Sequence, residues 1–142
     1  MEVKSPLRAT SHCLIAADDV LHLTRFFSRL FRITPHFEND AFSEFVLPSR
    51  FRIAFFKPVG KSARFFQSGL AKGTMALGLT VHDVEAVFRR AGELQTEWKI
   101  EFSGAPKEHP WGEKSFLLLD PEKNRWEITQ SPSADGMLVD RE

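Results

Sequence analysis

The period of apolar and polar positions changes several times along the chain, and each change marks an element. His12-Cys13-Leu14-Ile15-Ala16-Ala17 is an apolar run of strand length. Asp18 or Asp19 then caps a helix whose apolar residues Val20, Leu23, Phe27, Leu30 and Phe31 recur at helical spacing. After Thr34-Pro35 the pattern predicts strands near 36–38, 42–47 and 51–57, the last two joined by a Pro48-Ser49-Arg50 turn. Residues 58–73 contain Gly60, Lys61, Ser62, Ser68 and Gly69 and read as a linker or flap presenting Phe65-Phe66.

The pattern then restarts. Residues 74–81 are strand-like, and His82-Asp83 opens a helix with Val84, Val87, Phe88 and Ala91 on one face, which Gly92 closes. Glu85 and Arg89 are spaced for an i,i+4 ion pair, stabilising by about 0.3 kcal/mol. Strands follow near 96–102, 114–119 and 125–130, and 131–142 is a polar, frayed tail. Asp19 and Asp83, opening equivalent helices, stand 64 positions apart (83 minus 19), so the chain is an internal repeat in which each half reads βαβββ. A unit this small cannot bury both faces of its sheet, so two must pair, within one chain or between chains. The expected class is α+β: two βαβββ modules forming an open curved mixed sheet with a central cleft. Module one spans about 9–57 and module two about 74–130 of a single domain.

Composition narrows the function classes. At 142 residues the chain can bury a core without staples. Lys+Arg and Asp+Glu both number 19, so binding driven by phosphate neutralisation is not expected, and neither is a nucleic-acid partner. The single cysteine, Cys13, excludes an internal disulfide and fits a reducing compartment. Residues 1–6 hold no apolar signal core, and no run approaches membrane-spanning length; the expected location is the cytoplasm, with no membrane partner. With 14 Phe, 3 Trp and no Tyr, any cavity is apolar and short of phenol donors, and the same residues would equally make an aromatic core.

The segment from Pro110 to Ile128 carries the most chemistry. It reads as a Pro110-Trp111-Gly112 turn, a strand, a tight Asp120-Pro121 turn, and a strand in which Glu127 stands among apolar neighbours. Ionised carboxylates are seldom buried unless paired or metal-bound, so Glu127 calls for a partner. Alternation puts Glu127, Arg125 and Thr129 on one face and Trp126 and Ile128 on the other. A guanidinium beside Glu127 suits cation or hydrogen-bond recognition; burial without one opens a general-base role. Cys13 alternates away from His12 and reads as an inert buried thiol. No Ser-His-Asp order, phosphate-cradling glycine loop or Cys-His zinc spacing stands out, and no catalytic residue is assigned.

Pro110-Trp111-Gly112, the strand after it, Asp120-Pro121-x-x-Asn124 and the closing Glu127 resemble the vicinal oxygen chelate superfamily. This is the glyoxalase, bleomycin-resistance and extradiol-dioxygenase group, and the resemblance extends over roughly residues 9–130. Phe26-Phe27-Ser28-Arg29-Leu30-Phe31 is similar to the family's first-helix ending. The resemblance implies paired modules around a cleft, commonly in a homodimer. It also implies a divalent ion (Fe, Mn, Ni or Zn) held by the first and last strands of each module. Carried over, His12 matches the first-strand histidine and Glu127 the final-strand glutamate, but Ala76 stands where the second histidine would. The fourth position falls within 52–56, which offers neither carboxylate nor imidazole. A catalytic divalent ion needs about three protein ligands, so a third would have to come from Glu44, His36 or His109. Arg32 and Lys123 stand where the family has glycine, and a left-handed backbone there costs about 1 kcal/mol each.

The resulting expectation is a cytoplasmic homodimer binding a small hydrophobic or aromatic molecule without a metal or other cofactor. Its cleft would be lined by His12, Arg125, Glu127, Phe45, Phe55, Phe56, Trp111 and Phe116. One alternative is a metal-dependent lyase or ring-cleaving dioxygenase using His12, Glu127 and a third ligand. The other is a non-catalytic accessory domain whose cleft is filled by its own Phe side chains.

Overall fold

The computed structural model describes residues 5–7, 11–66 and 75–132. Module one contains β1 (His12–Ala16), α1 (Val20–Phe31), β2 (Phe37–Glu38), β3 (Phe42–Val46) and β4 (Arg52–Phe56), with strand order β1-β4-β3-β2. Module two contains β5 (Leu77–Thr80), α2 (Val84–Leu94), β6 (Glu101–Phe102), β7 (Lys107–Glu108), β8 (Lys114–Leu119) and β9 (Arg125–Gln130). Its order is β5-β9-β8-β6, with β7 also on β8. In each module the first strand pairs parallel with the last and the other pairings are antiparallel. The fold is therefore mixed α+β with two sheets, and the repeat read from the two aspartates is present in the chain.

Both helices start by the same device. The Asp19 carboxylate accepts from the His22 amide and the Asp83 carboxylate from the Ala86 amide, each at 3.1 Å, satisfying donors that the first helical turn leaves unpaired. Of the two aspartates preceding α1, Asp19 is thus the cap. The buried stripe of α1 is wide: Val20, Leu23, Thr24, Phe26, Phe27 and Leu30. Phe27 explains why. Its ring lies 4.7 Å from Phe45 and 5.6 Å from Phe55 on sheet one, and 5.4 Å from Trp126 on sheet two. The helix-facing sides of both sheets accordingly share one hydrophobic core with both helices. The modules of one chain pair through their helices, and the outer face of each sheet points away from that core.

Several local expectations give way to packing. Gly92 lies inside α2 instead of closing it, because the buried stripe continues through Ala91 to Leu94 and the helix ends on the right-handed Gln95. Within 96–102 only Glu101–Phe102 is strand; the Trp98 amide instead bonds back to the Leu94 carbonyl at 3.0 Å, and its indole is buried. Glu85 pairs with Lys114 of β8 at 2.5 Å, not with Arg89. Gly60–Phe65 is a 3-10 helix with Phe65 exposed, while Phe66 packs edge-on against Phe56 at 4.8 Å. The rest of the expected linker, 67–73, and most of the expected tail lie outside the described residues. Arg32 and Lys123 are left-handed as expected (φ 52° and 67°), and Arg50 (φ 75°) joins them in the turn between β3 and β4. No described helix is long and apolar enough to cross a membrane.

Candidate functional site

Strand alternation and register fix what the outer faces present. On sheet one, His12 pairs with Arg52, Leu14 with Ala54, Ala54 with Glu44, and Glu44 with Phe37, so these residues line up across the outer face. The intervening positions point inward: Ser43 bonds Thr24 of α1, and Phe45 and Phe55 pack on Phe27. A polar chain crosses the outer face. Arg52 Nη2 donates to His12 Nδ1 at 3.3 Å, Arg52 Nη1 lies 3.5 Å from Glu44 Oε2, and Glu44 Oε1 lies 2.6 Å from His36 Nε2. Arginine can only donate, so His12 Nδ1 accepts, and the neutral ring then carries its proton on Nε2.

On sheet two, Gly78 pairs with Glu127 and Glu127 with Leu117, while Thr80, Thr129 and Ser115 form the next row. Thr129 Oγ1 donates to Glu127 Oε1 at 3.2 Å and Arg125 Nη1 to the Met75 carbonyl at 3.2 Å. At the rim, His109 Nε2 lies 2.8 Å from Ser115 Oγ, and its ring stacks on Trp111 (4.8 Å, 5°). Glu127, expected among buried apolar neighbours, is exposed: its face is the one turned from the core. The segment's buried carboxylates are Glu113 and Asp120, and Asp120 accepts from the amides of Glu122 (2.8 Å) and Asn124 (2.9 Å), from Asn124 Nδ2 (3.0 Å) and from Trp126 Nε1 (2.8 Å). Burial pushes this carboxyl above its ordinary range, against the downward pull of those hydrogen bonds from Trp126, Asn124 and Glu122.

The expected cleft residues divide accordingly. His12 and Phe56 sit on the outer face of sheet one, Arg125 and Glu127 on that of sheet two, and Trp111 is exposed at its rim. Phe45, Phe55 and Phe116 are corrected to the core: they occupy the alternate, helix-facing positions, the last against Phe88 at 5.2 Å. No described contact joins His12 to Glu127 within the chain. Arg52 stands beside His12, and Thr129 beside Glu127. Arg52 was not singled out by its own chemistry, because its place beside His12 depends on strand register across 40 positions (52 minus 12).

The family description Glyoxalase/Bleomycin resistance protein/Dioxygenase superfamily matches residues 9–128, and the chain belongs to that family. Its fold is similar to a glyoxalase-related enzyme from Fulvimarina pelagi (20% identity, covering 94% of this chain and 99% of that one, TM-score 0.71). It is similar too to a glyoxalase/bleomycin resistance protein/dioxygenase family enzyme from Burkholderia phytofirmans PsJN (20%, 84% and 95%, 0.66). A third likeness is to lactoylglutathione lyase from Agrobacterium tumefaciens (18%, 89% and 96%, 0.63). Identities this low establish shared fold alone. No curated protein matches the chain.

The metal that the family implies can be tested against the residues present. The pairing of Leu77 with Trp126 is equivalent to that of Cys13 with Ile53, which makes Ala54 the counterpart of Glu127 and Arg52 the counterpart of Arg125. The fourth family position is thus Ala54, matching Ala76 at the second. Among the described residues, no three His, Cys, Asp or Glu side chains gather as a metal-binding group. Glu44 and His36 share a face with His12, but the Arg52 guanidinium stands between, and a fixed cation 3.3 Å from the imidazole opposes a second one. Among the described residues, this donor set brings no three ligands together within one chain.

Proposed function

We propose that this chain is a small-molecule-binding member of the family that acts as a homodimer without a complete metal site. The outer face of sheet one from one copy would meet the outer face of sheet two from the other, giving two equivalent clefts related by a twofold axis. One observation carries the reading: both outer faces are open and mixed in character. Leu14 is 47% and Leu117 38% exposed, each beside polar groups, namely His12 and Arg52 on one sheet and Glu127 and Thr129 on the other. Leu14, Phe37, Phe42 and Phe56 supply apolar surface for a hydrophobic or aromatic ligand, and the polar groups fix its orientation, which is the usual make-up of a ligand pocket.

The test is a thermal-shift screen of aromatic compounds on protein purified without chelator, with elemental analysis of the same sample. A rise in melting temperature with no stoichiometric metal supports the reading. Stoichiometric Fe, Mn, Ni or Zn that is lost in His12→Ala would overturn the metal-free part and favour a lyase or dioxygenase. A flat response to every compound would favour an accessory domain.

A further inference from the structure

The cation of this face is an arginine. We propose that the Arg52 guanidinium holds an anionic group of the ligand, so that the ligand class is an aromatic or hydrophobic carboxylate. This rests on the reading of the outer face as a small-molecule site and adds the chemistry of its polar end.

Four observations lead there. Arg52 is reachable, with its side chain 41% exposed, while its orienting partner Glu44 is nearly covered at 10%. Each Glu44 oxygen has a partner, one facing His36 at 2.6 Å and the other facing Arg52 at 3.5 Å, so the carboxylate steers the guanidinium. A guanidinium has five N–H donors, and His12 and Glu44 each engage one terminal nitrogen, leaving donors for a planar carboxylate. His12 accepts through Nδ1 from Arg52 Nη2, so that with Glu44 on Nη1 the guanidinium is held at both ends on the outer face.

The surroundings choose the rest of the molecule. Leu14 follows His12 on the outer face of β1, Ala54 and then Phe56 follow Arg52 on that of β4 with Phe66 edge-on against Phe56, and Phe42 and Phe37 have ring centroids 6.0 Å apart farther across the sheet. Hydrophobic surface therefore flanks the guanidinium. A face built this way is suited to a ring or chain lying on the sheet with its charge at Arg52.

A matched pair of probes tests the proposal: 2-naphthoate and its neutral amide 2-naphthamide, titrated calorimetrically into wild type, Arg52→Gln and Arg52→Lys, each checked for folding by circular dichroism. The expected result is preference for naphthoate, with Arg52→Gln weakening naphthoate by about ten- to a hundredfold and naphthamide much less, so that the preference is lost. Arg52→Lys should keep part of the preference, since it keeps the charge but loses the planar fork. Equal binding of the two probes, or a naphthoate preference that survives Arg52→Gln, overturns the proposal while the small-molecule reading stands. If Arg52→Gln does not fold, the wild-type probe pair and Arg52→Lys decide. Failure of naphthoate to bind also overturns it. The broader reading falls separately, only if neutral aromatics fail as well.

Discussion

Trp126 donates its indole N–H to the buried carboxylate of Asp120 at 2.8 Å, across the turn that joins β8 to β9. The amides of Glu122 and Asn124 and the Asn124 side chain converge on the same carboxylate. The Asp-Pro-x-x-Asn stretch is therefore a turn lock, which is why it identifies a fold so well and says so little about chemistry. Asp120→Ala removes the acceptor and strands a buried indole N–H, and should cost about 3 kcal/mol in denaturant unfolding. A loss under about 1 kcal/mol would mean that water replaces the carboxylate.

The same residue predicts a pH effect. Burial raises the folded-state value of Asp120, so the folded chain holds this proton more tightly than the unfolded chain does. Its contribution is then fully present below the unfolded value and is lost as pH climbs through the folded one. The stability advantage of wild type over Asp120→Asn, which cannot titrate, should grow as pH falls from neutral into the acid range. A constant or shrinking difference in paired urea melts would contradict this.

Glu122 reaches from the same turn to module one, accepting from the amides of Asp18 at 2.8 Å and Asp19 at 3.1 Å. A carboxylate at the start of a helix stabilises it through those donors and the helix dipole. Glu122→Ala should cost about 1 kcal/mol, and Glu122→Gln less, because the amide oxygen still accepts. Faster hydrogen exchange at the first turn of α1 would locate the effect; unchanged exchange there would remove Glu122 as its anchor.

Burial pushes the Cys13 thiol up to about 11. The thiolate is the reactive form, so labelling of folded protein with a disulfide reagent at pH 8 should run about a hundredfold slower than in denaturant. Comparable rates in the two states would show that the thiol is neither shielded nor shifted.

Leu14 and Leu117 are exposed in the single chain and central to the two faces proposed to meet. Leu14→Asp and Leu117→Asp should each convert a dimer to a monomer in sedimentation velocity, with monomer stability changed by no more than about 0.5 kcal/mol. A dimer that survives both substitutions must be held by another surface.

Helices, caps and the hairpin of β8 and β9 were legible because local signals agreed there: a capping Asp, a stripe at helical spacing, and alternation bounded by turn residues. Gly92 misled because its preference for helix ends is small beside the burial of Leu94 one turn-half later. The site was half legible. Alternation grouped Glu127 with Arg125 and Thr129, but which side of a strand meets the helices depends on long-range packing. That is why Glu127 proved exposed and Phe45, Phe55 and Phe116 proved buried. Arg52 needed more still, since its tie to His12 exists only through the register of β1 on β4.

The place of Phe27 between the two sheets has a consequence for assembly. Because one chain closes its own core around that ring, a lone copy can stay folded with no neighbour. In the proposed dimer, folding and the creation of the binding site are separate equilibria. Dilution would then abolish ligand capture in that dimer long before it touched the melting of the polypeptide, making capture a function of protein concentration.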